Sequence, residues 1–402
     1  MDELEVTRQG WRTYVTARRP LFVIFFAVAG LLALSFAFAH EISRPRTRAV
    51  DAAYAPSVMW HPPPSFVKGI YVSAATVGAK KRFAELVDLV DRTELNTMVI
   101  DVKSDRGDIA FASKNDALAP YIQTKPLLGN LRELTASLRK KNIYLIARLF
   151  VFEDPAYATH HPEHAVQQKT GGMWHDRKGL AWVDPASRAD WAYNVAIAKE
   201  AYAGGFDEIQ FDYVRFPTDG AISSMAFPHW DGKISKAQVI GDFFSYLDSE
   251  LRGITGMMTS VDLFGLTMWQ HSYDMNIGQR LALAVPHFDF ISPMVYPSHY
   301  PRGFDGFDNP ADHPYDIVYK NLVKGRPVID QLRSASPDAR LASFRPWIQD
   351  FDLGAVYTPE MVRAQMQASV DGGATGWILW NARNVYTESA FLTEDVEKKI
   401  TR

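Results

Sequence analysis

The chain has no cysteine among its 402 residues. Disulfide bonds, thiolate nucleophiles, iron–sulfur clusters and zinc sites with Cys ligands are therefore excluded. The absence does not fix the cellular compartment, because proteins without thiols occur in both oxidising and reducing compartments.

Motifs that bind phosphate are also missing. No G-x-G-x-x-G follows the first predicted strand and no G-x-x-x-x-G-K-[ST] occurs, so dinucleotide-binding and P-loop folds lose their main support. Positive charge is scarce: residues 49–402 hold 36 Lys and Arg against 42 Asp and Glu, a net charge of −6. A mildly acidic body without a basic run argues against nucleic-acid binding. We expect neither a cofactor nor a nucleic-acid partner.

A run of nineteen uncharged residues, 21–39, is long enough to cross the ~30 Å hydrocarbon core of a membrane as a helix. Four Arg precede the run and three follow it, a small bias that predicts a cytoplasmic N-terminus and a body outside the cytoplasm. Ala37-Phe38-Ala39 also fits a signal-peptidase site, so a cleaved signal sequence is the alternative. We expect a single-pass protein of the cell membrane with a periplasmic or extracellular body, or a secreted protein if the segment is removed.

The segment that follows is rich in proline. Residues 44–66 contain Pro56 and Pro62-Pro63-Pro64 and show neither helical nor strand periodicity, which is typical of an extended, semi-rigid spacer. The expected organisation is a short cytoplasmic segment at 1–19, a transmembrane anchor or signal sequence at 20–40, a Pro-rich linker at 41–66 and one folded domain at 67–400.

Eight short apolar runs alternate with segments of helical period from residue 67 onward. Strands buried on both faces and separated by helices indicate parallel pairing, and eight such units predict a closed (β/α)8 TIM barrel. The predicted strands are 68–74, 97–105, 143–152, 207–216, 258–265, 288–296, 339–348 and 376–382. The predicted helices lie near 80–93, 127–141, 187–203, 236–252, 276–284, 314–333, 359–371 and 388–400.

Two acidic residues stand where the fourth and fifth predicted strands end, which is where barrel enzymes place their chemistry. Glycoside cleavage needs two carboxyl groups, one to protonate the leaving oxygen and one to attack the sugar or activate water. Arg215 is expected to hold the Asp212 carboxylate ionised, and burial is expected to raise the pKa of Asp262. Asp212 and Asp262 are therefore the predicted catalytic pair. The alternatives are a strand-end ion pair for Asp212 and a capping or barrel-interior role for Asp262.

Further residues at the strand ends are predicted to bind sugar, because aromatic rings pack on sugar faces and Asn, Arg and Lys bind hydroxyls. Asp101 and Lys103 are expected on the same side of their strand, where they either position a hydroxyl or form a salt bridge. Trp182 belongs to a long connection that is expected to fold over the barrel mouth. The predicted substrate-binding residues are Asp101, Lys103, Trp182, Arg215, Tyr296, His299, Arg345, Trp347, Trp380 and Asn381.

Two other groups of polar residues are expected to be structural. His160, His161 and His164 have i,i+4 spacing at their ends, but Pro162 interrupts the span and the H-E-x-x-H order is absent, so a surface loop is favoured over a metal site. Glu153, close to a proline at the end of the third predicted strand, is expected to belong to a turn. We expect no bound metal.

Several long motifs are shared with a known family. The most specific are FDEIQFDYVRFP and ISPMVYPSHY, and the others are KGIYVSA, ELNTMVIDVKSD, IARLFVFEDP, DRKGLAWVDP, IGQRLALAVPHFDF, RPWIQDF and GWILWNA. By these stretches, which span roughly residues 67–386, the chain resembles a bacterial family of putative glycosyl hydrolase domains with a TIM-barrel fold.

The resemblance implies kinship with glycosidase barrels such as the α-amylase-like ones, in which strands 4 and 5 supply the catalytic carboxyls. Asp212 and Asp262 fall on those strands here. Amylase-type barrels have Arg two residues before the strand-4 Asp, whereas Arg215 follows Asp212, and their strand 5 ends in Glu rather than Asp. The implied mechanism is therefore an analogy of fold.

Three functions fit these observations. The first is a glycoside hydrolase or transglycosylase that acts on an envelope or extracellular polysaccharide. The alternative is a non-catalytic glycan-binding barrel, which would keep the aromatic and polar groups but have its carboxyls too far apart or salt-bridged. A metal-dependent polysaccharide deacetylase would need an Asp and two His ligands, and only the histidine cluster offers them.

Overall fold

The computed structural model describes residues 61–393. Their main sheet is a closed ring of nine parallel strands in which the last strand pairs with the first, and the seventh and eighth strands both pair with the sixth rather than with each other. The strands are β1 (Val67–Val72), β2 (Thr97–Lys103), β3 (Tyr144–Phe150), β4 (Glu208–Asp212), β5 (Met258–Phe264), β6 (Phe290–Met294), β7 (Ser343–Phe344), β8 (Trp347–Gln349) and β9 (Gly376–Trp380). Because β7 and β8 together fill the seventh position, the ring has eight positions and confirms the predicted (β/α)8 barrel.

Helices surround the ring and cover the outer faces of the strands. Several of the longer ones begin at a Ser or Thr that accepts a hydrogen bond from a backbone N–H of the first turn, as at Ser187, Ser235 and Thr358. The helices are α1 (Ala74–Gly78), α2 (Lys80–Asp91), α3 (Leu131–Arg139), α4 (Pro155–His160), α5 (Arg188–Ala203), α6 (Lys236–Leu251), α7 (Leu281–Ala284), α8 (Pro314–Ala335) and α9 (Pro359–Asp371).

Strand β2 departs from the regular pattern expected at its end. Its pairing with β3 shifts register between Asp101 and Lys103, so the two side chains do not share a face. Asp101 contacts Arg148 in the barrel interior, whereas Lys103 contacts Asn194 of α5 outside the ring. The expectation that they lie on one side of the strand is therefore wrong, because it assumed an unbroken alternation.

Two predicted elements are shorter than expected. The strand predicted at 339–348 is interrupted at Pro346, which has no N–H to donate to a ladder. The helix predicted at 276–284 forms only over Leu281–Ala284, because Asn276 and Gly278 have φ values of 60° and 85°, which a right-handed helix cannot contain.

The helix predicted near 388–400 is represented by a 3₁₀ turn at Glu388–Ala390, and its remainder from residue 394 lies outside the described residues.

The predicted transmembrane segment at 21–39 and most of the linker also lie outside the described residues. Within residues 61–393, no helix is both long and apolar enough to cross a membrane.

Candidate active site at the carboxyl ends of the strands

A cavity of about 390 Å³ opens at the carboxyl ends of the barrel strands. One carboxylate, two arginines and several aromatic rings share its wall. The lining residues are Arg148, Asp212, Tyr213, Arg215, Phe264, Gly265, Leu266, Gln279, Met294, Tyr296, His299, Tyr300, Trp347 and Trp380. The predicted residues Asp212, Arg215, Tyr296, His299, Trp347 and Trp380 are thus brought together on one surface.

Arg148 is the centre of the site, and the sequence analysis did not single it out. It lies on β3 and is almost completely buried. Its guanidinium pairs with Asp101 at 2.7 Å, with Asp212, and with Asp262 at 3.5 Å. A single cation therefore neutralises carboxyl groups from three strands. The available signal was a lone charge inside the apolar run Tyr144–Phe150, because a charge is buried only where it has partners.

Asp101 closes the cluster on the side of β1. Its carboxylate accepts a hydrogen bond from the Tyr71 hydroxyl and another from Arg148. Burial raises the pKa of Asp101, and the charge of Arg148 opposes that rise. Asp101 is not one of the lining residues, so it meets the cavity only through Arg148 and Tyr71.

Asp212 is the last residue of β4 and reaches the cavity wall. Besides its ion pair with Arg148, its Oδ1 accepts the backbone N–H of Tyr213 at 2.6 Å. Tyr213 has φ of 55°, a left-handed conformation that is unusual for a bulky residue. Such strain, of order 1–3 kcal/mol, is typically found where backbone geometry serves a site. Here it occurs at the residue whose N–H binds the Asp212 carboxylate.

Asp262 lies beneath Asp212 and is fully buried on β5. Its Oδ1 accepts the indole N–H of Trp347 at 2.8 Å, and its Oδ2 lies 3.5 Å from Nε of Arg148. Burial, together with the neighbouring charge of Asp212, raises the pKa of Asp262 well above its usual value. Asp262 therefore favours its protonated form.

Asp262 does not take the place expected of the second carboxyl of the pair. Catalytic carboxyls lie about 5–5.5 Å apart in retaining glycosidases and about 6.5–9.5 Å apart in inverting ones, and both face the substrate. Asp212 lines the cavity, whereas Asp262 does not reach its wall. Asp212 can therefore contact a substrate, whereas Asp262 is a buried acid that does not.

Arg215 does not pair with Asp212, which corrects the expected ion pair. The N–H of Arg215 donates to the carbonyl of Tyr213 at 3.0 Å, so the chain turns sharply after β4. The Arg215 guanidinium then lies 4.6 Å from the ring of Trp182 and 5.4 Å from that of Phe264. Arg148 takes the role expected of Arg215, because β3 and not the following loop lies beside the Asp212 carboxylate.

Aromatic rings form the opposite part of the wall. Trp347 and Trp380 meet edge to face with ring centres 5.6 Å apart, and Trp380 also packs on Tyr71 at 4.2 Å. Tyr296 stands beside His299 at 5.1 Å, and burial lowers the pKa of that histidine. A neutral His and indole faces are suited to contact with the apolar faces and hydroxyls of sugars.

Besides Asp101, four predicted substrate-binding residues do not line the cavity. Lys103 pairs with Asp154 behind the barrel, and Arg345 pairs with Glu208 at the start of β4. The Asn381 amide donates to the carbonyl of Asp350. Trp182, in the connection between β3 and α5, is completely buried, and its ring packs against the guanidinium of Arg215. Each of the four is held by other protein groups, which the order of residues along the strands does not reveal.

Glu153 follows β3 and is almost completely buried. Burial raises its pKa to about 7, and the charges of Lys178 and Arg215 oppose the rise. Its Oε1 accepts no hydrogen bond within residues 61–393. The adjacent Asp154 caps α4 by accepting the N–H of Tyr157 at 2.8 Å, in keeping with the turn expected there.

The histidine cluster lies at the end of α4 and just beyond it. His164 Nδ1 is 2.7 Å from Nε2 of His229 and 3.1 Å from the hydroxyl of Ser187, and the His161 ring is hydrogen-bonded to Tyr121. In the described part of the chain, no group of three or more His, Asp or Glu is arranged to hold a metal ion.

Comparison with solved structures gives the same fold. The PgaB (BpsB) glycoside hydrolase domain from Bordetella bronchiseptica superposes with a TM-score of 0.55 at 15% identity, over 79% of this chain and 94% of that domain. A hypothetical protein from Ruminiclostridium thermocellum is 37% identical over 48% of this chain and 96% of its own length, with a TM-score of 0.43. No curated protein matches the sequence.

A family model matches residues 69–386, well over half of the chain, and includes every strand of the ring from within β1 onward. The match also includes all residues of the cavity wall. It agrees with the resemblance seen in the motifs. The chain therefore belongs to the putative glycosyl hydrolase domain family.

Proposed function

We propose that the protein is a glycoside hydrolase whose reactive carboxylate is Asp212. The observation that carries the proposal is that Asp212 is the one carboxylate among the described residues that line the cavity. It lies at the end of a barrel strand, between a cation and a wall of indole and phenol rings. A carboxylate at this position can attack an anomeric carbon or take a proton from the attacking water.

The cluster around Asp212 supports this role. Arg148 and the N–H of Tyr213 stabilise the ionised carboxylate and fix its direction. Asp262 holds its proton because burial and the charge of Asp212 raise its pKa. Asp212 is therefore the carboxyl group of the cluster that faces the cavity, and Asp262 keeps its proton away from the wall.

The leaving oxygen must gain a proton, which water supplies, and the Tyr296 hydroxyl is suited to stabilise it by a hydrogen bond as the bond breaks. It lines the cavity, and burial together with the charges of Asp262 and Asp212 raises its pKa well above the usual value. It therefore keeps its proton at neutral pH. Tyr300, also on the wall, already donates to Asn321 at 2.8 Å.

Replacement of Asp212 tests the proposal. In Asp212→Asn, which keeps the shape but removes the charge, we expect hydrolysis to fall about 10²–10⁴-fold. The matched control is Asp262→Asn, which mimics the neutral acid and still accepts the Trp347 N–H, so its activity should stay within about tenfold. The measurement is release of reducing ends from a panel of bacterial polysaccharides, with thermal melting to check folding.

A non-catalytic glycan-binding barrel remains the second candidate, because the second carboxyl of the predicted pair does not reach the wall. Such a protein would bind oligosaccharides equally well before and after Asp212→Asn and release no reducing ends from any polysaccharide. Cleavage that survives Asp212→Asn would instead assign the reaction to another carboxylate.

We also propose that the substrate is a polysaccharide of the cell envelope or the extracellular space. The support is the uncharged run at 21–39 with its Arg flanks, which predicts a membrane-tethered body on the outer side. No cofactor is part of the proposed reaction, since water and carboxyl groups suffice for glycoside hydrolysis.

A further inference from the structure

Arg215 is a cation on the cavity wall that forms no salt bridge within residues 61–393, although Glu153, Asp212 and Asp176 are near enough to act on its charge. No carboxylate oxygen within residues 61–393 lies within 4.0 Å of its guanidinium. Its protein acceptor is the carbonyl of Phe216, which it contacts from Nη1 at 3.3 Å. A guanidinium carries five N–H donors, so most of its hydrogen-bonding capacity is left for something in the cavity.

The guanidinium is held in place by aromatic rings. It lies over Trp182 at 4.6 Å, near Tyr213 at 5.3 Å and near Phe264 at 5.4 Å. Cation–π contacts of this kind orient an arginine without using its N–H groups. Burial lowers the pKa of Arg215, and the charges of Glu153, Asp212 and Asp176 oppose that effect.

The charges of the wall favour an anion as well. Two guanidinium groups, Arg148 and Arg215, face one lining carboxylate, Asp212. Arg148 is already engaged by three Asp side chains. Arg215 is therefore the lining guanidinium that has no salt-bridge partner within residues 61–393.

From this geometry we propose that the substrate is an anionic glycan, and that Arg215 binds a carboxylate, phosphate or sulfate carried by the sugar. The inference rests on the proposed function, since it takes the cavity to be a sugar site. A bidentate pair between a planar guanidinium and an oxyanion is the arrangement that this cavity leaves open. A neutral sugar would leave the desolvated charge of Arg215 without a partner.

Sugar pairs that differ only at C6 test the inference. We would titrate methyl glucosides and methyl glucuronides of both anomers, and glucose 6-phosphate, into full-length protein carrying Asp212→Asn, and follow tryptophan fluorescence. A charge-assisted hydrogen bond should make the glucuronide or the phosphate bind about tenfold or more tightly than the glucoside. Which anion binds more tightly tells a uronic acid from a phosphorylated sugar.

Variants at Arg215 complete the test. Arg215→Gln should abolish the preference for the anionic sugar, and Arg215→Lys should keep part of it. The matched control is Arg302→Gln, an exposed arginine paired with Asp308, which should leave the preference intact. The wild-type preference should also shrink as salt rises, because the contact is ionic.

The outcomes separate this inference from the proposed function. Equal binding of neutral and anionic sugars, or a preference that survives Arg215→Gln, overturns the anionic subsite and leaves the sugar site standing. Binding of no sugar overturns both. A preference that depends on Arg215, in a protein that cleaves no polysaccharide, supports the subsite and overturns the hydrolase.

Discussion

At the scale of single residues, the site depends on which charges are paired and which are left alone. Arg148 contacts three acidic residues, whereas Arg215 forms no salt bridge within residues 61–393. In the same part of the chain, the buried Oε1 of Glu153 accepts no hydrogen bond. Sequence patterns identified Asp212 and Asp262 but predicted Arg215, rather than Arg148, as the cation that pairs with Asp212. Arg215 is closer in sequence, but Arg148 is closer in space, because β3 pairs with β4 in the barrel.

Glu153 gives the protein a predictable response to pH. Its folded pKa of about 7 lies above its ordinary value of 4.5, so the folded state binds more protons than the unfolded state between these values. The free energy of unfolding should therefore fall as pH rises from 4.5 through 7. Glu153→Gln should remove that part of the loss and be more stable than the wild type at pH 8.

Urea unfolding at pH 5, 7 and 8 checks this expectation. The groups that face Glu153 are Lys178 and Arg215, which favour its ionised form, and Asp176 and Asp105, which oppose it. Glu85→Gln, at an exposed position of α2, is the matched control. The same pH slope in Glu153→Gln and wild type would contradict the assignment.

At the scale of elements, alternation of apolar strands and helices was enough to predict the barrel. All eight strand positions lie within predicted strand ranges to within one residue at either end. The predicted elements were wrong where the backbone departs from a regular strand or helix. The register shift after Asp101, the break at Pro346 and the positive φ of Asn276 all replaced a regular pattern, and none leaves a periodic trace in the sequence.

Closure of the ring supplies a prediction at this scale. Gly376 opens β9 with φ of 154°, and a Cβ atom there would lie 2.4 Å from the carbonyl oxygen of Val67. Gly376→Ala should therefore strain the β9–β1 seam and lower the free energy of unfolding by about 2–4 kcal/mol. Gly253→Ala, where nothing lies within 4 Å of the added Cβ, is the control, and urea unfolding is the measurement. Equal stability of the two variants would show that the seam can relax.

At the scale of the whole molecule, the family match identifies the folded domain. The prediction of its cellular location depends on the N-terminal residues. The family model spans 69–386, and the uncharged run at 21–39 precedes it. The substrate cannot be predicted from fold, because glycosidase barrels of one architecture act on many sugars. It depends on wall residues such as Arg215, whose free N–H groups only a three-dimensional arrangement reveals.

Cell fractionation checks the predicted placement. A tagged full-length chain should sediment with membranes, resist extraction at alkaline pH and be digested by protease added to the outer side. A variant that lacks residues 21–39 should lose all three properties. Recovery of the intact full-length chain among soluble cytoplasmic proteins would contradict the predicted tether.

The cluster around Arg148 has a consequence for any calorimetric study of binding. Burial raises the pKa of both Asp101 and Asp262, so a change in the charges around them can change how many protons they bind. A charged ligand that arrives above the cluster shifts those equilibria, and protons pass to or from the solvent. The apparent enthalpy of binding should therefore vary with the ionisation enthalpy of the buffer, and comparison of two buffers at one pH would count the protons that each ligand moves.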